Sequence, residues 1–117
     1  MYTSFKSVTN INESEYNMNY LIQVDFPFSG PFGDEMSSAM EGLAQDIANE
    51  PGLVWKIWTE SKAQNMAGGI YIFDNEVDAK RYIKKHEARL TSFGIKDIRS
   101  VIFETNDFLS RIDKAPL

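Results

Sequence analysis

Cysteine is absent from this chain of 117 residues, which excludes disulfides, thiolate nucleophiles and cysteine-ligated metals. Histidine occurs once, at His86. One imidazole among scattered carboxylates offers no metal-ligand spacing, so a metal site is not expected. The seven glycines form no G-x-G-x-x-G or Walker pattern, and turns and close backbone approach are their expected uses. No stretch approaches the roughly 20 apolar residues of a membrane-spanning helix. The opening MYTSFKSVTNINESEY lacks the apolar centre of a signal peptide, so a cytoplasmic protein without membrane contact is expected.

Lys and Arg are missing from residues 7 to 55, where eight of the 17 acids fall. Eleven of the 12 bases lie from Lys56 onward, and the formal net charge is −5. An acidic chain repels phosphate backbones, which argues against nucleic acid as a partner. Lys80, Arg81, Lys84, Lys85 and Arg89 resemble a basic patch. Acids precede them on the same helix, in the order that suits its dipole, and they read as a solvated face.

What the chain does contain is enough apolar material for a folded domain: 43% hydrophobic residues and 13% aromatics. Residues 1–17 are polar and aperiodic, and a loose arm is expected there ahead of one domain over 18–117. From Met18 to Phe26 the apolar residues Tyr20, Ile22, Val24 and Phe26 alternate with Gln23 and Asp25, the period of a strand. Ser29 to Gly33 is a turn cluster. A helix follows from Asp34, with Met36, Met40, Leu43, Ala44 and Ile47 along one stripe, and Pro51-Gly52 stops it. Leu53 to Glu60 and Gly68 to Phe73 read as strands joined by a polar loop. Asn75 is a candidate N-cap, with Asp78 three residues on. Ala79, Tyr82, Ile83, His86 and Leu90 make the apolar stripe of a second helix, closed by Gly94. A last strand spans about Ile98 to Thr105, and Phe108, Leu109 and Ile112 could form a docking turn.

The order β-α-β-β-α-β predicts an α+β, ferredoxin-like fold: a four-stranded antiparallel sheet with both helices on one face. Facing Ile22, Val24, Phe26, Trp55, Ile57, Ile70 and Ile72 toward the helices leaves Gln23, Asp25, Lys56, Trp58, Glu60, Tyr71 and Phe73 on the open face. Aromatic rings mixed with ionisable groups suit a pocket lining, and equally the filling of a contact between two copies packed sheet to sheet. A homodimer is expected on this ground.

The runs FSGPFGDEM, EPGLVWKIWTES, AGGIYIF and KKHEARLTSFGI resemble the YdhR-type monooxygenases, of the dimeric α+β barrel group. The similarity extends from about Met18 to the C-terminal end, and by it residues 1–17 look like an extension. It implies a homodimer that oxidises an aromatic or polycyclic phenol without metal, flavin or haem. The family runs carry over Trp55, Lys56, Trp58, Thr59, Glu60, Gly68, Gly69, Tyr71, His86 and Arg89.

Such chemistry needs a base, a dry aromatic pocket and a cation or donor for developing charge. Lys56 and Tyr71 are candidates for cation and donor, Trp58 for stacking, and Asp25 or Glu60 for the base. Gln23, Phe73 and Arg89 complete the candidate substrate-binding set. His86 titrates near neutrality and is a further catalytic candidate, although its place on the apolar stripe equally suits packing at the core's rim. The alternative function is a non-catalytic dimer binding a hydrophobic small molecule.

Overall fold

The computed structural model describes residues 18–117; the expected N-terminal arm, residues 1–17, lies outside them. Seven elements follow in order: β1 (Tyr20–Pro27), α1 (Gly33–Ala48), β2 (Leu53–Ser61), β3 (Met66–Phe73), α2 (Glu76–Ser92), β4 (Arg99–Glu104) and the short α3 (Asp107–Ile112). The strands form one antiparallel sheet in the order β2-β3-β1-β4, the ferredoxin-like α+β arrangement.

Local chemistry sets the element ends. Asn75 accepts a hydrogen bond from the Asp78 backbone N–H at 2.8 Å, satisfying one orphan donor of α2. Gly94 ends the same helix at a φ of 87°, a left-handed conformation that costs glycine least. Asn106 caps α3 in the same way, accepting from the Leu109 N–H at 3.0 Å. Phe108, Leu109 and Ile112 do form a helical turn there, but their side chains are exposed.

The register decides which residues meet the helices. Ile22 pairs with Tyr71, Tyr20 with Phe73 and Phe26 with Ala67 on β3, while Lys56 of β2 pairs with Tyr71. Directly paired residues share a face of the sheet. Tyr71 and Phe73 therefore lie beside Ile22, beneath α2, with Lys56, Trp58 and Glu60 on that side too. This corrects the face expected from sequence. The alternation along β3 is apolar on both faces, so periodicity alone gives no direction, and aliphatic Ile70 and Ile72 are not the inward pair. Trp55 and Ile57 are likewise turned outward, and Ile57 is half exposed. Gln23 and Asp25 do lie on the open face.

Tyr71, Phe73 and Tyr82 are almost wholly buried and form the centre of the core with Ile22, Val24 and Ile47. Each such side chain contributes about 1.5–3 kcal/mol by leaving water. The chain leaves β4 at one edge of the sheet and ends beside β2 at the other, where the Trp55 indole N–H donates to the Pro116 carbonyl at 3.2 Å. Residues after β4 thus cross the sheet opposite α1 and α2, and Ile72 on that side is buried.

Candidate functional site

Between the sheet and the two helices lies a cavity of about 240 Å³. Phe26, Trp58, Ala67 and Tyr71 form its sheet wall, Met36, Met40 and Leu43 the α1 wall, and His86 and Leu90 the α2 wall. Phe28, Gly30 and Pro31 after β1, with Phe93 and Ile95 after α2, border one end. Edge-on contacts of Phe28 with Phe26 and Phe32, at 6.0 and 5.7 Å between centroids, stiffen that border. The α1 stripe read from sequence is real, but Met40 and Leu43 are only half-buried because they face this space rather than solid core.

Lys56 is the ammonium-bearing residue of the lining. Its Nζ sits 3.5 Å from the Trp58 ring centroid and 4.6 Å from that of Tyr71. Gly69 makes the room: a Cβ there would stand 3.0 Å from Lys56 Cε. Burial, reinforced by the positive Arg89, pulls the Lys56 amine down to about 7. A substantial share is therefore unprotonated at neutral pH, unlike a surface lysine.

A hydrogen-bonded row runs behind it. Arg89 Nη2 lies 3.0 Å from His86 Nδ1, and His86 Nε2 lies 3.0 Å from the Tyr71 hydroxyl. Burial first, then the positive Lys56 and Arg89, push the His86 imidazole down to about 3, so the ring is neutral. A guanidinium can only donate, so Nδ1 is the accepting nitrogen and the ring proton rests on Nε2. His86 thus donates to the Tyr71 oxygen, and Tyr71 turns its own hydrogen toward the Tyr82 hydroxyl, a hydrogen bond that helps raise the Tyr71 phenol. Burial and the neighbouring Tyr82 push the Tyr71 phenol above its ordinary range, so it stays protonated. Tyr82 stacks on His86 at 5.1 Å and 18°, receives a bond from Arg89 Nη2 at 3.4 Å, and is pushed up to about 12 by burial. Among the described residues the buried Arg89 Nε has no hydrogen-bond partner.

The structure brings Lys56, Trp58, Tyr71 and His86 together around one space, with Arg89 bonded to His86 behind it. It places the other candidates elsewhere. Asp25 lies on the open face, bonded to Arg99 at 3.0 Å and to Gln23 at 3.5 Å. Glu60 is exposed and accepts from the Gly33 N–H at 2.7 Å, at the start of α1. Neither carboxylate reaches the cavity, which corrects their assignment as base. Phe73 is fully buried 5.4 Å from Tyr82 and belongs to the core. The predicted pocket position is also corrected, from the open face to the helix-covered one. Sequence reasoning missed Tyr82 and the Phe, Met and Leu walls, because their helical spacing reads as core. Among the described residues no three His, Asp or Glu side chains gather as a metal site, and no helix is long and apolar enough to cross a membrane.

The class so defined is a ferredoxin-like α+β domain with an apolar cavity, a buried amine lowered to about 7 and a tyrosine–histidine–arginine row. Within that class the chain belongs to the ydhR family: the family described as "Putative mono-oxygenase ydhR" matches residues 21–116. A comparison with curated proteins finds no match.

Proposed function

We propose that the protein is a monooxygenase that oxidises an acidic aromatic or polycyclic phenolic molecule in the cavity between sheet and helices, without a bound cofactor. The family match supports oxygen chemistry as the reaction class. The observation that carries the reading is the Lys56 amine, seated against two aromatic rings in an apolar space and, among the described residues, in no ion pair with a carboxylate.

In this reading Lys56 is the base. Its neutral amine takes the acidic proton of a ring hydroxyl or ring-flanked CH₂, and the ammonium so formed holds the resulting anion. Tyr71 turns its hydroxyl hydrogen from Tyr82 to the anion's oxygen, held in orientation by His86 and, through His86, by Arg89. Trp58 stacks on the planar ring, and the apolar walls keep water from stabilising the anion, so it passes an electron to O₂ more readily. For an anthrone-like substrate the methylene carbon gains one oxygen atom. The second leaves as water with the two hydrogens lost, and no outside reductant is needed. The proposal includes a homodimer in the cytoplasm.

Oxygen-electrode measurements with dihydroxy-aromatic and anthrone-like compounds test it. Uptake is expected to rise with pH through about 7, as Lys56 loses its proton. Lys56→Ala is expected to lower it by about a hundredfold or more, and Trp58→Ala to raise KM. Binding of these compounds with no oxygen uptake would instead favour the carrier or sensor alternative.

A further inference from the structure

We infer that Lys56 is also a carbonyl-capturing amine, which condenses with an apolar aldehyde or ketone seated in the cavity. Three structural observations carry this, and none depends on the oxygenase reading. The amine faces the cavity rather than bulk water, between the Trp58 and Tyr71 rings. It takes part in no ion pair among the described residues, whereas Lys80 and Lys85 are held by Glu76 and Glu50. The nearby formal charge is Arg89, which repels an ammonium and tolerates a neutral imine. An amine near pH 7 in its free-base form is the nucleophile such a condensation needs.

The bookkeeping closes without an oxidant or reductant. The nitrogen lone pair attacks the carbonyl carbon and a C–N bond forms. The C–O bond then breaks, and the oxygen leaves as water carrying the two hydrogens the amine gives up. The hydrogens pass from nitrogen to the departing oxygen by way of a water molecule, so the step asks no ionisation of the Tyr71 phenol, which burial keeps protonated. In water the reverse reaction wins by mass action; the apolar walls limit that return. The class of ligand is a planar or aliphatic carbonyl compound small enough for about 240 Å³.

The test is reductive trapping on the full chain. The protein is mixed with 2-naphthaldehyde and sodium cyanoborohydride at pH 7, digested, and every lysine-bearing peptide quantified by mass. The expected result is a secondary amine at Lys56 forming at least about tenfold faster than at Lys62, Lys80, Lys84, Lys85, Lys96 or Lys114, none of which lines the cavity that would hold the aldehyde. Its rate should rise through about pH 7. Lys56→Arg, which keeps a cation but cannot form an imine, removes the fast site and leaves the slow ones. Comparable rates at all lysines, or an unlabelled Lys56 in the wild-type protein, overturn the inference. Because this readout is labelling and not oxygen uptake, either proposal can fail while the other stands.

Discussion

At the scale of single residues, Lys56 shows a site bought at the expense of stability. Its amine sits at about 7 in the folded protein against an ordinary 10.5. Between those values the unfolded chain binds more protons, so stability rises with pH across that window and the full penalty is felt below it. Replacing Lys56 by methionine keeps the stem and removes the amine. Lys56→Met is therefore expected to stabilise the fold on the order of 2 kcal/mol at pH 7, an advantage that shrinks toward pH 10.5. Urea midpoints of both proteins at neutral and alkaline pH measure it. His86 acts with the same sign at lower pH: its imidazole is held at about 3 against 6.5, so stability falls as pH drops through that interval. The sequence marked Lys56, Trp58 and Tyr71 as ionisable and aromatic groups sharing one sheet face, while His86 and Arg89 entered through the family resemblance. It could not mark Tyr82, whose place on an apolar stripe is what a core residue shows.

At the scale of elements, type and order were legible, and direction was not. The alternation in β1, the stripes of α1 and α2, and the Asn75 and Gly94 boundaries each depend on neighbours within a few residues. The face of β3 depends on which residue stands across the sheet from Tyr71, a long-range fact with no local trace in Ile70-Tyr71-Ile72-Phe73. The Asn75 cap gives the element-level test. Its side chain both accepts from Asp78 N and donates to the Asp78 carboxylate at 2.8 Å, and this bond is the leading cause holding that carboxylate below its usual range. Asn75→Ala is expected to cost about 1 kcal/mol by thermal or denaturant unfolding. Because α2 carries His86 and Arg89, loss of protection from hydrogen exchange should begin at its first turn.

At the scale of the whole molecule, the side of the sheet away from α1 and α2 leaves apolar groups in water. Ile57 is 52% exposed on one edge strand and Phe103 46% on the other, with Leu109 and Ile112 of α3 also exposed. A second copy packed on this surface is the proposed partner, since a self-complementary apolar face is what a two-fold dimer covers. The double substitution Ile57→Glu and Phe103→Glu should shift the protein from dimer to monomer in sedimentation velocity, with its circular dichroism unchanged. An unchanged sedimentation coefficient would exclude this surface as the contact.

Among the described residues, the cavity walls lie on the opposite side of the sheet from the surface that exposes Ile57 and Phe103. If the proposed pairing and the proposed chemistry both hold, assembly and reactivity are mechanically uncoupled, and an isolated protomer is expected to keep its oxygen uptake. Pairing is then left to govern endurance and solubility, and evolution could alter quaternary structure here without redesigning the reaction chamber.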